Sequence, residues 1–409
     1  MAKEFIREQF NILTDRIFNE KRKFIQVLVG PRQVGKTTII KQMLKKTTIF
    51  TADYSVDNIV AADGVWLDNV WERLRLEMKS QGKTEGLLVV DEIQRIPNWG
   101  LAVKRNWDED TKNDVNIKLV LSGSSRLMLQ KGLTESLMGR FELIRAGHWS
   151  YAEMKKAFGY TPEEFVWFGG YPGGAGFIND EERFKLYIKD AVVESGINRD
   201  ILMLTPIDKP ALLRQLFDIG VVYSGQILSY NKILGQLQDA GNTVTLAKYL
   251  RLLEQSGLLA GLEMHSEKLI KIKSSSPKFQ VYNTALISAG QTEIFEDALD
   301  NKTWWGRLVE SAVGAHLLNE VNKNPNAKLL YWRETSGGVK YEVDFVIKYG
   351  SKIVGIEVKS GADDINMNAI RRFKDKFAGA EVVLIGDKWI KWQTAITMRL
   401  KDIVEQNIP

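Results

Sequence analysis

Cysteine does not occur among the 409 residues of the chain, and histidine occurs only three times. Without thiols the chain can form no disulfide, carries no thiolate nucleophile and cannot build a zinc site on sulfur. No apolar run approaches the roughly 20 residues that a membrane helix needs, and the amino-terminal segment carries charges of both signs. We therefore expect a cytoplasmic protein with no membrane span and no secretion signal.

The composition is that of a globular chain, because 44% of the residues are hydrophobic and 26% are charged. At roughly 150 residues for an ordinary domain, the length predicts about three domains. Lysine and arginine number 56, and aspartate and glutamate number 51, so the formal net charge is +5. This mild basic excess is compatible with a nucleic-acid partner without arguing strongly for one.

The hydrophobic pattern divides the chain into three parts. Between Phe24 and Tyr160 short β-rich runs alternate with longer helical ones, which predicts a parallel sheet with helices on its faces. Helical patterns dominate from there to about residue 295, and the last part has the pattern of a helix, three strands, a helix and a final strand. The predicted domains are 1–160, 161–295 and 296–409, and the first is predicted to be a doubly wound α/β domain.

A glycine-rich loop follows the first strand and matches every position of the Walker A pattern. Its candidate nucleotide-binding residues are Gly30, Pro31, Arg32, Gln33, Val34, Gly35, Lys36, Thr37 and Thr38. Such a loop turns backbone N–H groups and a helix N-terminus towards the β- and γ-phosphates of a nucleotide. Lys36 would add a point charge, and the Thr37 hydroxyl would bind Mg²⁺. The loop therefore predicts binding of ATP together with Mg²⁺.

An apolar strand, LLVV, ends in two carboxylates, Asp91 and Glu92. Asp91 would complete the Mg²⁺ site, and Glu92 would polarise the water that attacks the γ-phosphate. Taken alone, an apolar strand followed by two acids is more often a solvated strand end. Downstream of a complete phosphate loop, the same pair predicts a metal-binding Asp91 and a catalytic Glu92.

Another apolar strand, IKLVL, leads into Ser122 and Ser124, either of which could sense the γ-phosphate beside Asp91. Ser122 is the favoured candidate, and a simple helix N-cap is the competing interpretation. Arg126 and Arg140 could each supply positive charge to the transition state, within the chain or across a subunit boundary. Surface salt bridging is the alternative for these arginines.

Four segments occur in an order that is typical of one protein family: GPRQVGKTT, VVDEIQRIPNW, VLSGSSRLM and LMGRFELIRAG. With FGGYP and PKFQVYNTAL further along, the chain resembles the AAA-type ATPases of bacteria and archaea that carry a C-terminal PD-(D/E)XK nuclease-like domain. The resemblance covers nearly the whole chain. It implies a P-loop ATPase domain, a helical middle domain and a restriction-endonuclease-like α/β domain, but it leaves the activity beyond nucleotide binding undefined.

The middle domain contains two predicted helices, Ser229–Gln238 and Thr243–Gln255, joined by a short turn. A basic stretch and a strand follow them, and this order resembles a winged helix-turn-helix. Each lysine of the basic stretch could neutralise a phosphate of a nucleic acid. These lysines are Lys268, Lys271, Lys273 and Lys278. A protein-docking or lid module with a solvated lysine-rich loop is the alternative.

The C-terminal domain holds a second candidate metal site. Asp344 lies in the predicted strand YEVDFVI, and Glu357 and Lys359 share a face of the strand KIVGIEVK because strand side chains alternate. The two carboxylates could hold Mg²⁺ against a phosphodiester while Lys359 positions a water. Glu310 would complete the set from the apolar stripe of a helix, where a carboxylate requires a nearby cation or donor. Cleavage and mere binding both stay open for such a site.

The sequence thus predicts a Mg²⁺-dependent ATPase whose nucleotide state controls a nuclease-like domain acting on DNA or RNA, with ATP held between the first domain and a lid from the middle one. The alternative is a nucleotide-gated switch that binds DNA or a partner protein through a catalytically silent C-terminal domain. A homo-oligomer or a complex with a partner protein is compatible with either function. His148 and His316 lack matching metal ligands and are expected to be structural or surface residues.

Overall fold

The computed structural model describes residues 5–59, 61–123, 133, 136–203, 205–235, 242–268, 272, 275–359, 366–386 and 388–405. The chain divides into two compact units, Met1–Ala146 (the first unit) and Gly147–Pro409 (the second unit). Each unit has hydrophobic clusters of its own. Within the described residues, no helix is both long enough and apolar enough to cross a membrane. The predicted boundary at residue 295 falls inside the second unit, and the three-domain division stays a prediction.

The first unit is built on a parallel sheet. Its strands are β1 (Ile25–Val29), β2 (Phe50–Ser55), β3 (Gly86–Asp91), β4 (Ile117–Gly123) and β5 (Phe141–Arg145). They are ordered β2-β3-β4-β1-β5, and every neighbouring pair is parallel. A parallel sheet is covered on both faces, which explains why β1, β3 and β4 are continuous apolar runs instead of alternating ones.

Helices cover both faces of this sheet. They are α1 (Glu8–Phe18), α2 (Lys36–Leu44), α3 (Gly64–Ser80) and α4 (Trp99–Lys112). Helices α1 and α2 pack on one face, where Leu28 and Val89 lie, and α3 and α4 pack on the other, where Val27 and Val90 lie. The alternation of adjacent strand residues between the two clusters shows that these are opposite faces. The predicted parallel α/β fold of the first domain is confirmed.

The second unit begins with helical segments. These are α5 (Tyr151–Phe158), α6 (Pro162–Phe168), a 3₁₀ turn (Pro172–Phe177), α7 (Glu181–Leu186) and α8 (Pro210–Val222). Between α7 and α8 the chain forms π-helical turns over Tyr187–Glu194 and Gly196–Leu202, where the sequence predicted a regular helix. Helices α5 and α6 each start with a capping box, from Ser150 and Thr161, which satisfies backbone donors of their first turns.

Two more helices, α9 (Tyr230–Leu234) and α10 (Thr243–Gln255), precede an antiparallel pair formed by β6 (Leu259–Leu262) and β7 (Lys278–Val281). The apolar stripe predicted for α10 is buried, and it consists of Leu246, Tyr249, Leu250 and Leu253. Residues 236–241 lie outside the described part of the chain. The order of helix, helix and strand pair is the predicted one, and the winged-helix fold itself stays a prediction.

The last part of the second unit has a mixed sheet. Its elements are α11 (Ala285–Ser288), α12 (Phe295–Asp300), α13 (Lys302–Asn322), β8 (Ala327–Ser336), β9 (Val339–Tyr349), β10 (Lys352–Val358), α14 (Met367–Lys376), β11 (Glu381–Ile385), α15 (Trp392–Ala395) and α16 (Leu400–Val404). The sheet order is β11-β10-β9-β8, with β10 and β11 parallel and the other pairs antiparallel. The predicted element order is therefore present, and the nuclease-like fold assignment stays a prediction.

Helix α13 approaches both β7 and β9 closely at Gly314. A Cβ atom at this position would collide with Gln280 Oε1 of β7 and would lie 2.6 Å from Phe345 Cζ of β9. Glycine is therefore required for this close approach of helix to strands. Glu310, about one turn earlier on α13, is thereby held next to the same two strands. A strand of the predicted middle domain thus packs directly into the predicted C-terminal domain.

Candidate functional site

The loop between β1 and α2 contains two residues in the left-handed backbone conformation, which favours glycine. Gly35 has a φ of 88°, and Gln33 has a φ of 61°. A Cβ atom on Gly30 would collide with the carbonyl oxygen of Ala146, so this position also requires glycine. Gly35 is the N-cap of α2 and has no side chain with which to cap the helix. The helix N-terminus therefore presents backbone N–H groups to an anion, as a phosphate loop requires.

Lys36 is buried, and its ammonium group lies within this loop. Its Nζ donates hydrogen bonds to the carbonyl oxygens of Gly30, at 2.9 Å, and Pro31, at 2.8 Å. A lysine ammonium has three donors, and the loop itself satisfies two of them. The positive charge is therefore held inside the loop, and the role of Lys36 at the phosphates stays a prediction.

Asp91 at the end of β3 accepts hydrogen bonds from two other segments of the first unit and from the next residue of its own chain segment. Thr37 Oγ1 donates to Asp91 Oδ2 across 2.9 Å, and Ser122 Oγ donates to Asp91 Oδ1. The backbone N–H of Glu92 also donates to Asp91 Oδ1, at 3.0 Å. These residues meet because the carboxyl ends of parallel strands lie at one edge of the sheet. A hydroxyl and a carboxylate side by side are ligands that Mg²⁺ prefers, so this group of residues fits a magnesium ion.

Glu92 is held in place by side chains on both sides of it. Its φ is 56°, a left-handed conformation that costs energy for a residue with a Cβ. Gln94 Nε2 donates to Glu92 Oε2 at 2.5 Å, and Arg32 Nη2 of the phosphate loop lies 3.8 Å from the same oxygen. Sequence reasoning identified Glu92 but not these two partners, because contacts of this kind depend on the turn after β3.

Asp53 on β2 is a further acidic residue near this site that the sequence did not single out. Burial raises the pKa of Asp53, and the charge of Asp91 raises it further, while Lys41 acts in the opposite direction. The two aspartates lie on neighbouring strands, since Asp53 pairs with Val89 of β3. The sequence TIFTAD, which ends at Asp53, gave no reason to single out this residue as part of the site.

Arg140 lies at the opposite edge of the sheet from Asp91. Its carbonyl oxygen accepts from the N–H of Ile25, the first residue of β1, whereas the phosphate loop follows the last residue of β1. The Arg140 guanidinium binds Asp108 with two hydrogen bonds, of 2.7 and 3.0 Å. This geometry does not support an arginine finger acting on the site of the same chain, and action across a subunit boundary stays a prediction. Ser124 and Arg126 lie outside the described residues.

The predicted carboxylates of the C-terminal domain come together between β9 and β10. In the antiparallel pairing of these strands Ile356 lies opposite Phe345, so Asp344 and Glu357 occupy the next opposed positions. The N–H of Val358 donates to Asp344 Oδ2 at 2.9 Å, and the N–H of Asp344 donates to Glu357 Oε2 at 3.3 Å. Lys359 Nζ lies 3.4 Å from Glu357 Oε1, on the face that strand alternation predicted.

Lys278 joins this group and was wrongly predicted to be a phosphate-binding lysine of a solvated stretch. Its side chain is fully buried, and its Nζ donates to Glu310 Oε1 at 3.0 Å and to the carbonyl oxygen of Asp344 at 3.0 Å. Asp344 Oδ1 is 3.5 Å from the same ammonium. Lys278 is the cation that the position of Glu310 requires. Lys268 of the same stretch is exposed, and Lys271 and Lys273 lie outside the described residues.

Burial and the neighbouring charges shift the pKa values of the side chains in this group. Burial raises the pKa of Glu310 to about 6, although Lys278 opposes that shift, and burial together with Asp344 raises the pKa of Glu357 to about 8. Burial alone would lower the pKa of Lys278, but Glu310 and Asp344 more than reverse this effect. The carboxyl groups therefore outnumber the cations that balance them, and the ammonium of Lys278 is firmly held in its charged form.

The arrangement does not fit the divalent metal ion that the resemblance implies for Asp344 and Glu357. Asp344 directs one oxygen at the Lys278 ammonium and the other at a backbone N–H, so both are engaged by donors. Within the described part of the chain, no cluster of three or more histidine, aspartate or glutamate side chains is arranged to hold a metal ion. The Lys278 ammonium occupies the position between Asp344 Oδ1 and Glu310 Oε1, and its positive charge opposes a divalent ion there.

His148 and His316 are buried, so their interpretation as structural residues agrees with the fold and the surface alternative is wrong. His148 Nε2 lies 2.9 Å from the carbonyl oxygen of Gly257, and His316 Nε2 lies 2.8 Å from that of Met398. Burial is the largest influence on His316, and it lowers the pKa of this residue. Each imidazole thus joins two segments of the fold through its contact with a backbone carbonyl.

Helix α10 presents basic residues on the side opposite its buried stripe. Lys248 and Arg251 are exposed, while Leu246 and Leu250 are buried. The helix starts at Asn242, whose side chain accepts from the N–H of Thr245 and thereby caps the first turn. A rigid helix with an exposed basic face is a candidate surface for phosphate groups.

Comparison with known families and proteins agrees with the architecture of the first unit. Residues 22–155 match the family model of an AAA domain, while residues 161–293 and 305–402 match two domains of unknown function, DUF8612 and DUF4143. The AAA match supports the predicted AAA-type resemblance. The matches to the other two segments carry no nuclease or nucleic-acid assignment.

Relatives similar over most of the chain come from bacteria and archaea. An uncharacterized protein of Mycobacterium tuberculosis is 25% identical over 336 residues, which are 82% of this chain and 70% of the relative. An uncharacterized protein of Methanocaldococcus jannaschii is 25% identical over 345 residues, which are 79% of this chain and 72% of the relative. The similarity therefore extends well beyond the AAA segment in both.

Among solved structures, the Orc1 protein of Aeropyrum pernix in complex with DNA is 10% identical, covers 73% of this chain and 96% of its own, and has a TM-score of 0.33. The RuvB Holliday junction branch migration motor of Thermotoga maritima is 18% identical, covers 63% of this chain and 89% of its own, and has a TM-score of 0.33. At such scores, neither likeness carries a functional inference.

Proposed function

We propose that the first unit binds ATP with Mg²⁺ and hydrolyses it, and that the nucleotide state controls how the second unit binds nucleic acid. The observation that carries the ATPase part is the carboxylate of Asp91, which accepts from both Thr37 and Ser122. Two separate segments thereby converge on one acidic residue at the end of β3, beside a phosphate loop. Such convergence is what Mg²⁺-assisted phosphoryl transfer needs.

Each side chain of this group has a distinct task in the proposed reaction. Backbone N–H groups at the start of α2 and the Lys36 ammonium bind the phosphates, and Thr37 and Asp91 hold Mg²⁺, which supplies charge neutralisation when bound. Glu92 orients the attacking water and accepts its proton. Ser122 keeps Asp91 oriented and lies where it can sense the γ-phosphate. The lid role predicted for the middle domain stays a prediction.

The ATPase proposal is tested with matched lysine variants of the full chain. Lys36→Ala should abolish ATP turnover because it removes the charge at the centre of the loop. Lys41→Ala removes an exposed lysine one turn later on α2, and Lys359→Ala removes a lysine of the second unit, so both should retain turnover. Equal loss of phosphate release in all three variants would contradict the assignment of the site.

Nucleic-acid binding is assigned to the exposed basic face of α10. Its lysine and arginine neutralise backbone phosphates, which predicts an affinity that falls steeply with salt and depends weakly on base sequence. Lys248→Glu together with Arg251→Glu should abolish this affinity in fluorescence anisotropy with duplex DNA, while Lys352→Glu, an exposed lysine on β10, should not. Unchanged affinity in the double variant would sink the assignment and favour a protein-docking helix.

Control by the nucleotide predicts that the ATP-bound chain and the ADP-bound chain bind DNA with different affinities. The native chain and Lys36→Ala are compared with the same duplex, with saturating ATP, ADP or no nucleotide. The native chain should bind the duplex with different affinities in these states. Lys36→Ala should bind it with the same affinity in all three. Identical affinities for the native chain in all states would separate ATP turnover from DNA binding and refute the control, while leaving the ATPase assignment intact.

A further inference from the structure

We propose that the Lys278 ammonium holds the position of a divalent cation between Glu310 and Asp344, which form the carboxylate cluster together with Glu357. The native chain then binds no Mg²⁺ or Mn²⁺ in this cluster, and removal of the lysine creates a divalent-cation site there. The proposal concerns the second unit alone, and it is independent of ATP hydrolysis by the first.

The first step is the set of atoms that surrounds the ammonium. Nζ of Lys278 lies 3.0 Å from Glu310 Oε1, 3.0 Å from the carbonyl oxygen of Asp344 and 3.5 Å from Asp344 Oδ1. Glu342 Oε1 lies 4.0 Å away. Carboxylate and backbone carbonyl oxygens are also the ligands that hard divalent cations take. The lysine ammonium, a monovalent cation, therefore occupies the kind of oxygen environment that would otherwise coordinate a metal ion.

The second step is the exclusion of a metal ion while the lysine is present. Both carboxylate oxygens of Asp344 are engaged, Oδ1 by the ammonium and Oδ2 by the N–H of Val358. A divalent ion between Asp344 and Glu310 would lie within a few ångströms of the positive charge on Nζ, and burial weakens the screening of that repulsion. Lysine and metal thus compete for the same oxygens.

The third step is that the lysine cannot withdraw as an exposed side chain does. Lys278 begins β7, where it pairs with Leu262 of β6 and bridges to Ile227. Its side chain is completely buried, and the ring of Phe345 lies 4.7 Å from Nζ. A flexible surface lysine would leave the cluster to an incoming metal ion, whereas Lys278 is fixed by the strand that carries it.

The fourth step is that the cluster needs a cation of some kind. Glu310, Asp344 and Glu357 are brought together by the fold, where Lys359 pairs with Glu357 at 3.4 Å and Lys278 pairs with Glu310 at 3.0 Å and with Asp344 at 3.5 Å. Removal of one partner from a buried ion pair leaves the other charge without compensation. A chain without the Lys278 charge is therefore destabilised until another cation, Mn²⁺ or Mg²⁺, takes its place.

The direct test compares Mn²⁺ binding to the nucleotide-free native chain and to Asp344→Asn, measured by electron paramagnetic resonance. Weak Mn²⁺ binding by the first unit contributes equally to both and cancels. Equal numbers of bound Mn²⁺ ions support the proposal. Loss of a Mn²⁺ ion in Asp344→Asn would show that the native cluster holds metal and would overturn it, as would cleavage of plasmid DNA in Mn²⁺ that Asp344→Asn abolishes.

The complementary test uses Lys278→Ala, with Lys328→Ala as the matched control. Lys328 forms an exposed pair with Glu263 at 3.2 Å, so its removal should change neither the thermal midpoint nor the response to Mn²⁺. Lys278→Ala should unfold at a lower temperature without metal, regain stability in Mn²⁺ and bind about one more Mn²⁺ ion per chain than the native protein. A folded Lys278→Ala chain that gains no Mn²⁺ site would refute the proposal.

If Lys278→Ala does not fold even in Mn²⁺, the comparison of the native chain with Asp344→Asn decides the question. Lys278→Ala combined with Glu310→Gln and Asp344→Asn provides a further variant, since it removes the competing carboxylates with the lysine. This triple variant should fold without metal and respond to Mn²⁺ no more than the native chain does. A Mn²⁺ response in the triple variant as large as that of Lys278→Ala would place the metal elsewhere and contradict the proposal.

Discussion

The hydroxyl of Thr37 donates a 2.9 Å hydrogen bond to the carboxylate of Asp91 and so connects the start of α2 to the end of β3. The contact forms across two strands that are not neighbours, because β4 lies between β1 and β3 in the sheet. Ser122 at the end of β4 contacts the same carboxylate and fills the intervening position. The start of α2 and the ends of β3 and β4 are therefore joined through the carboxylate of Asp91.

The Ser122 hydroxyl is predicted to support Mg²⁺ binding indirectly. Ser122→Ala removes a donor that orients Asp91, so the Mg²⁺ concentration for half-maximal ATP turnover should rise about 10- to 100-fold. Thr51→Ala is the control, because the Thr51 hydroxyl donates to the Ile49 carbonyl and not to Asp91. A Mg²⁺ titration of ATPase activity measures both variants. An unchanged Mg²⁺ requirement in Ser122→Ala would remove the serine from the site.

Glu92 is predicted to act on water and not on ATP binding. Glu92→Gln keeps the shape and the contact with Gln94 but cannot accept a proton, so turnover should fall about 100-fold or more. Isothermal titration of Mg-ATP should give an affinity close to that of the native chain. Normal turnover by Glu92→Gln would exclude the residue as the base, and loss of affinity would indicate a structural role at the loop.

Arg140 is predicted to act on a neighbouring chain, because in its own chain it lies at the opposite end of the strands from Asp91. Lys36→Ala and Arg140→Ala chains should each be inactive, whereas their mixture should regain ATP turnover at shared subunit boundaries. Asp108→Ala breaks the same ion pair without removing the arginine and should stay active. Inactive mixtures, together with an inactive Asp108→Ala, would reduce Arg140 to a structural partner of Asp108.

The close approach at Gly314 is predicted to limit stability. Gly314→Ala inserts a methyl group against Gln280 and Phe345 and should lower the free energy of unfolding by about 1–3 kcal/mol. Gly176→Ala is the matched control, since nothing lies within 4 Å of a Cβ atom there. Chemical denaturation with two probes, one in each unit, locates the change. Equal midpoints for both variants would mean that α13 shifts to admit the methyl group.

The carboxylate cluster also predicts a pH dependence. The pKa of Glu357 is raised to about 8, mainly by burial and then by Asp344, so the folded state binds a proton that the unfolded state releases. Its contribution to stability is present at low pH and is lost as pH rises through about 8. Glu357→Gln lacks this titration and should gain thermal stability relative to the native chain between slightly acidic and slightly basic pH, measured without divalent metal. A constant difference between the two chains would contradict the assignment.

The nucleotide site could be predicted from the sequence because its parts are local. Gly35, Lys36 and Thr37 are adjacent in the chain, and Asp91 follows a strand whose carboxyl end the parallel arrangement brings to the same edge. Helix α1 was not predicted, although Phe10, Leu13 and Ile17 have helical spacing and are buried. This spacing is a sufficient signal for an amphipathic helix.

Lys278 could not be placed in the same way. Its partners, Glu310 and Asp344, lie 32 and 66 residues further along the chain. No motif specifies how β7 packs against α13 and β9, and a lysine among lysines has the pattern of an exposed stretch. The sequence did indicate that Glu310 needs a cation, because a carboxylate on an apolar helix face is costly. The sequence does not show the packing of the strands and the helix, and only that packing identifies Lys278 as the cation beside Glu310.

The contact between Gly30 and Ala146 has a mechanical consequence. Ala146 donates its N–H to Val29 at 2.8 Å, and its carbonyl oxygen occupies the space where a side chain on Gly30 would stand. Ala146 directly follows β5, so these two contacts join the start of the phosphate loop to the end of that strand. The backbone at Gly30 therefore has no room to move towards β5 unless Ala146 is displaced with it.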